Sequence, residues 1–519
     1  MLRQRHFRFR TDTGAVDATP TWGAAEDANY VPGSAAFRLR FSIENPDAEA
    51  TGSLPFQIYV SKNGGAYAAV TTSSTNGIKS IDAGSDADNT TIVIPRLTTP
   101  VWTPLAGAAI DLDFQRRRYY SSSSLADIAP TSVLSISRAS IGYAKTAAGT
   151  LTSFGTGTLR VTDLGLLIED ARTNYCLQSQ AVSNGAYWDI VAHGITVTAD
   201  ATASPDGTLT ADLVIPTAAG AFHFETQTGI TVAGLPAQAT WSVYAKAGGY
   251  NFGVLVAKTS SGANAYRILV DLTTGAAVAA VDSGSPTNVT SGVETLGNGW
   301  FRLWIAMDAV TNADVLLGVN DTSTWHSFVG DGSSGVYFWG AQVEVGSFPS
   351  SYIPTTTTSA TRATDAVNVT GALNTVLSAL PHSEVMNLIT PVPVTGFVWS
   401  FLADDTDGIE DFVTGTNSAN AFDNRITTYI SGVNINIPFV GSLYSTGVKI
   451  GWSGATGARS LVGDGGAVAT DATVAAMLTG NIYLGSGAAS FRTMFGYIRR
   501  LTVWNSKLAD ATLQALTAP

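Results

Sequence analysis

The 519-residue chain has one cysteine, Cys176, so no intrachain disulfide can form, and the chain matures in a reducing compartment or does not depend on oxidation. A lone cysteine following an apolar strand reads as a small buried residue rather than a nucleophile. Charge is scarce as well. Asp, Glu, Lys and Arg make up 13% of the chain, about half the usual share, and Gly, Ala, Ser and Thr fill the difference. Cationic character is lacking overall: the net charge is −12, which excludes nucleic acid as the main partner, because phosphate binding needs clustered Lys and Arg. The basic spots are local, at Arg3, Arg5, Arg8 and Arg10 and at Arg116-Arg117-Arg118. In Arg8-Phe9-Arg10 the alternation marks the solvent face of a strand. No apolar run approaches the roughly 18 residues of a membrane span, so no membrane insertion is expected. Met1 to Arg10 is followed by no apolar stretch of the kind a secretory signal carries.

Catalytic signatures are missing too. The five histidines (His6, His193, His223, His326 and His382) are scattered, with no His-Glu-x-x-His and no pair at ligand spacing. A Gly-x-Ser-x-Gly elbow does not occur. Gly330-Asp331-Gly332-Ser333-Ser334-Gly335 fits the dinucleotide pattern on paper. That fingerprint works only where a helix N-terminus meets phosphate, and here the β-type run Val336-Tyr337-Phe338-Trp339 follows. The segment reads as a hairpin loop, and the chain as a non-enzyme.

What the chain has is short β-type runs and turn residues, over a length that implies several cores. The expected fold class is all-β: multi-domain β-sandwiches, with a small immunoglobulin-like N-terminal sandwich, a jelly roll, and a concanavalin-like jelly roll ending in a short helix. Residues 1–110 read as the small sandwich. There Phe37 to Ile43 alternates apolar and polar, Asn63-Gly64-Gly65 separates Phe56–Val60 from Ala66–Val70 as a hairpin, and Thr91–Ile94 stops at Pro95. Residues 111–164 read as an extended connector lying against its neighbours. From 165 to 365, strand follows strand, with six of the eleven tryptophans, almost no helical periodicity, and turns at Pro205-Asp206-Gly207 and Asn298-Gly299. This span reads as a jelly roll. Its two ends are Gly165-Leu166-Leu167-Ile168-Glu169-Asp170-Ala171-Arg172-Thr173-Asn174 and Phe348-Pro349-Ser350-Ser351-Tyr352-Ile353-Pro354, taken together as a bracket. Glu169, Asp170 and Arg172 read as a hydrogen-bonded polar latch. Residues 366–519 form a further β domain, closed by Gly496 to Trp504 and an apolar spacing (Leu508, Leu513, Leu516) that predicts a short helix.

Aromatic residues are the best lead to a site. Sugars present C–H faces that stack on Trp and Tyr, while Arg, Asn and Gln bond their hydroxyls. In Phe301-Arg302-Leu303-Trp304-Ile305 the alternation sends Arg302 and Trp304 to the face opposite Phe301, Leu303 and Ile305, and Tyr244 likewise lies opposite Trp241 and Val243. Trp304, Arg302 and Tyr244 are therefore candidate glycan-binding residues, with Trp325 in a turn-rich stretch as a loop alternative. The competing reading is core packing, with the Arg charge snorkelled beside a Trp. In Asp404-Asp405-Thr406-Asp407-Gly408, Asp405 and Asp407 are candidate Ca²⁺ ligands, set against an acidic solvated turn. No cofactor is otherwise implied.

Three stretches resemble bacteriophage structural proteins. Residues 165–179 with Glu344 to Pro354 resemble the two ends of a carbohydrate-binding-module-like jelly roll of phage fibres, with Ser137-Arg138-Ala139-Ser140, Pro205-Asp206-Gly207 and Asn298 to Arg302 in the expected order. Residues 481–519 are similar to the closing strand and helix of concanavalin-like, laminin-G-like domains, with Ala509 where Ser or Thr usually caps the helix. Phe7-Arg8-Phe9-Arg10, Trp22 to Asp27 and Asn63-Gly64-Gly65 resemble a phage attachment domain. The resemblance implies a fibre or spike on the exterior of a phage particle, made in the host cytoplasm. Its N-terminal domain would bind other virion structural proteins and its outer modules host-surface glycan. Fibre architecture implies a homo-oligomer, a trimer first. The alternatives are a purely structural head or tail decoration protein and, third, a glycan depolymerase.

Overall fold

The computed structural model describes residues 3–11, 37–44, 59–60, 68–69, 104–123, 128–235, 237–259, 263–309, 312–390, 398–404, 410–415, 425–430, 433–438, 447–472, 481–486 and 493–519. The chain divides into two compact units, Met1–Ala106 and Gly107–Pro519. In the first, Arg3–Thr11 pairs antiparallel with Phe37–Glu44, and Tyr59–Val60 with Ala68–Ala69. The second pair lies on either side of Asn63-Gly64-Gly65 in the sequence, a stretch outside the described residues. The Thr91–Ile94 run lies outside the described residues, as does the Asp405 and Asp407 pair.

The second unit is all-β among its described residues, apart from two short α-helices and two 3₁₀ turns. Two sheets face each other to make the jelly roll. One has six strands in the order Ile195–Ala203, Leu209–Pro216, Gly335–Val345, Ala237–Gly248, Trp300–Ala309, Thr290–Thr295. The other has five, in the order His223–Thr231, Asn312–Asn320, Phe252–Thr259, Ala265–Asp271, Ala277–Ser283. Period-2 alternation directs Trp241, Val243, Phe301, Leu303, Ile305, Leu255 and Leu317 into the shared core, and Cys176 lies fully buried there. Gly330 to Ser334 is a loop leading into the Gly335–Val345 strand, with Asp331 accepting from the backbone N–H groups of Ser333 and Ser334.

A second pair of sheets, of nine and seven strands among the described residues, is built largely from residues beyond 365 and shares one core that includes Ile110 and Val503. Residues 111–164, expected as a connector without a core of its own, supply strands to both of these sheets. Ile110–Asp113 and Arg118–Ser121 add to the nine-stranded sheet, and Leu134–Ser137 edges the seven-stranded one. The entrance stretch at 165 also differs from its expected place. Gly165–Ile168 pairs with Gly496–Ile498 of the closing strand, whereas Arg172–Asn174 pairs with Ala360–Arg362. The cause is apolar burial: all four residues of Gly165–Ile168 are buried, as suits an internal strand of a large sheet. The bracket thus straddles the junction of the two sandwiches. The closing helix is Asp510–Thr517, its N-cap Ala509 makes no side-chain cap bond, and Asp510 sits in its first turn. A further helix, Gly371–Leu377, carries no apolar spacing long enough to read in advance.

Candidate functional site

The outward face of the six-stranded sheet looks onto a cleft of about 870 Å³, walled on the far side by residues from outside the jelly roll. The register fixes the near wall. Tyr244 lies opposite Arg302, and Arg302 opposite Glu294; Ser242 lies opposite Trp304, and Trp304 opposite Gly292. The alternation argued from the sequence therefore places Trp304, Arg302 and Tyr244 on one sheet face, and all three line the cleft. Tyr143, Lys145 and Leu151 approach from the Gly142–Lys145 and Leu151–Phe154 hairpin, and Leu167, Phe495 and Tyr497 from the second sandwich. Ser350, Ser351 and Tyr352 cover one end.

The three sheet residues hold different positions. Trp304 is partly exposed, and its indole lies over Gly292, where a Cβ would sit 2.8 Å from ring atoms. Tyr244 is only 2% exposed, and burial first of all pushes its phenol up, against the nearby Arg302. Arg302, 4% exposed, donates to the Ser350 carbonyl at 2.7 Å and the Ser242 hydroxyl at 3.0 Å. Tyr244 and Arg302 are thus the floor of the cleft and Trp304 its accessible wall. Trp325 is elsewhere, on the outward side of the other sheet. There it covers Gly318 and meets Phe222 at 5.2 Å between ring centres, so the structure does not bring it to the other three.

Behind the cleft is a buried ionic network that the sequence hinted at only through Glu169 and Arg138. Arg160 donates to Glu169 at 2.6 Å and to Asp365, and Arg138 donates to Asp365 at 2.7 Å. Arg362 lies 3.5 Å from Glu169, and all five side chains are at most 1% exposed. Ser351 donates both its N–H and its hydroxyl to Glu169, at 2.8 and 2.6 Å. Burial alone would raise the Glu169 carboxyl; Arg362, Arg160 and Ser351 outweigh it and hold it at about 2. One residue along, Ser350 does the same for Glu344, at 2.8 and 2.6 Å. The polar latch is real, and Asp170 joins it through its carbonyl, which accepts from Arg362 at 2.7 Å. Arg172 instead lies over the Phe348 ring, 5.4 Å from its centre.

Lys145 and Glu294 form an ion pair across the cleft, with side chains 27% and 32% exposed. Both residues, and Tyr143 and Tyr497, were missed by sequence reasoning. Their local patterns are those of any strand, and only long-range pairing brings them here. The Ser137-Arg138-Ala139-Ser140 and Phe348–Pro354 motifs were the available signals, since both border the network. Among the described residues no group of His, Cys, Asp and Glu is arranged to hold a metal ion.

No family model matches the chain, and no curated protein matches it. Among solved structures, the chain is similar to the CBM40 module of the Ruminococcus gnavus IT-sialidase at 16% identity and a TM-score of 0.24, over 28% of this chain and 88% of that one. It is also similar to mouse laminin alpha1 chain domains LG4-5, at 8% identity and a TM-score of 0.18, over 65% of this chain and 88% of that one.

Proposed function

We propose that the chain is a glycan-binding protein and that the cleft beside Trp304 is its binding site. One observation carries this reading: a partly exposed indole stands in an open cleft among polar groups able to bond hydroxyls. An indole face takes up the C–H face of a pyranose, and Lys145, Glu294, Gln238, Asn288 and Ser291 surround it with donors and acceptors. The site needs no acid–base pair, and recognition is the chemistry this arrangement suits. Within this reading the protein is a fibre or spike on the exterior of a phage particle, its Met1–Ala106 unit on the particle and its Gly107–Pro519 unit toward the host. The division into two units and the sequence resemblances support that arrangement. A trimer follows from fibre architecture.

The test is binding of the full chain to immobilised host-surface polysaccharide, with Trp304→Ala as control. Specific binding lost in the variant supports the proposal, and absence of binding overturns it. Light scattering and a virion map test the trimer and the particle placement.

A further inference from the structure

We propose that the cleft selects carboxylate-bearing sugars over neutral ones, a refinement that rests on the glycan-binding reading. Buried charge around the cleft floor does not balance. Seven fully or almost fully buried ionisable residues lie at or behind the cleft floor: Arg302 and Glu169, which line it, and Arg138, Arg160, Arg362, Glu344 and Asp365 behind them. Four cations and three anions leave one positive charge in excess, and the Lys145–Glu294 pair adds nothing to it.

The carboxylates are already committed. Glu169 and Asp365 serve Arg138, Arg160 and Arg362, and Glu344 is held by Gln342 and Ser350. Arg302 is the cation on the cleft side. Among the described residues it makes no ion pair. Its two terminal nitrogens donate to neutral oxygens, and its Nε has no hydrogen-bond partner. The Tyr244 ring face, 5.1 Å away, is its other electrostatic support.

A buried cation without a counter-ion is costly, and it persists where something outside can balance it. Arg302 lines the cleft, and the other cation there, Lys145, is already paired with Glu294. A carboxylate on a sugar stacked on Trp304 would be attracted by Arg302, two residues along the same sheet face, which no carboxylate side chain pairs with among the described residues. A neutral sugar would gain only the stacking and hydroxyl contacts.

The experiment uses the wild-type full chain on an array of acidic oligosaccharides, each printed beside its carboxyl-reduced counterpart, at two ionic strengths. The expected result is binding at least tenfold tighter to the acidic member of a pair, weakened by salt. Equal binding within pairs overturns the charge selection and leaves the glycan reading standing. No binding to any member overturns both. Arg302→Gln provides a second readout, in which the folded variant is expected to keep residual binding while losing the preference within pairs. A folded Arg302→Gln protein that retains the full preference removes Arg302 from the proposal. The ligand-side comparison stands even if that variant does not fold.

Discussion

The Arg302 guanidinium lies 5.1 Å from the centre of the Tyr244 ring, on the neighbouring strand and in direct register with it. Both side chains are buried, whereas Trp304, two residues along the same face, is partly open. Truncation should therefore separate binding from stability. Trp304→Ala is expected to weaken glycan binding tenfold or more while costing about 1 kcal/mol of stability. Arg302→Ala, which leaves the Ser350 carbonyl and Ser242 hydroxyl unpartnered, should cost about 2–3 kcal/mol. Chemical denaturation alongside titration calorimetry checks both. Equal stability losses would show that Trp304 is packed like its neighbour.

Gly292 sets where the indole rests. A Cβ at that position would stand 2.8 Å from three ring atoms of Trp304, so Gly292→Ala has to push the ring into the cleft. Binding should fall severalfold, with a stability change of about 1 kcal/mol and a shift in tryptophan fluorescence. Unchanged affinity would mean that the ring position does not matter to the ligand.

Glu225 predicts alkaline sensitivity. It is fully buried in the jelly roll with neither carboxylate oxygen hydrogen-bonded, and burial, then the charge of Asp212, pushes its carboxyl well above the ordinary value of 4.5. The folded state keeps a proton that the unfolded chain releases, so stability falls as pH rises above about 4.5 until the folded group itself ionises. Glu225→Gln removes that dependence. Its advantage over the wild type should be absent near pH 4 and grow by about 1.4 kcal/mol per pH unit above it. Parallel pH–stability curves would count against a buried neutral carboxyl.

Glu169 predicts the opposite behaviour in acid. Its carboxyl is held at about 2 against an ordinary 4.5. Its contribution is thus complete above pH 4.5 and is lost as pH falls toward 2. Glu169→Gln should cost about 3–5 kcal/mol at pH 7, because it leaves Arg160 and Arg362 under-compensated. The difference from wild type should narrow on acidification, measured by denaturant melts at pH 7 and pH 3.

Cys176 should be silent in the native protein. Burial raises its thiol far above the ordinary range. A thiol reagent is expected to find no reactive group in buffer and one in denaturant. Reaction in buffer would show that the core around it opens.

The sequence carried the near wall of the cleft and very little of the far one. In the Trp300–Ala309 strand, polar and apolar residues alternate strictly enough to assign Phe301, Leu303 and Ile305 to the core and Arg302 and Trp304 to the opposite face. That assignment is a local property, readable from five residues. The burial of Arg302 is not local, because Ser350, whose carbonyl it bonds, lies 48 residues along the chain. The same holds for Arg160, whose side chain looks like an ordinary solvated charge until Glu169 and Asp365 are placed against it. Short runs such as Ile110–Asp113 are ambiguous in isolation, since four residues cannot say which sheet they will join. Besides the adjacent Arg118–Ser121, the partner of Ile110–Asp113 lies almost four hundred positions later, with Arg500 bonded to Asp111 at a separation of 389 residues.

That last pairing has a consequence for biosynthesis. The second sandwich takes strands from both before and after the jelly roll, so the jelly roll is an insertion within it. While the chain is being translated, Ile110–Asp113 and Gly165–Ile168 have only their local partners, Arg118–Ser121 and Val161–Thr162, and their other edges stay open until Gly496–Trp504 emerges. The jelly roll, complete by Gly335–Val345, can close first and hold the two flanking segments near each other. A premature stop anywhere between the two would leave a finished jelly roll tethered to a sandwich that cannot form. Quality control would then act on the orphaned strands, and an intact cleft face would not rescue the product.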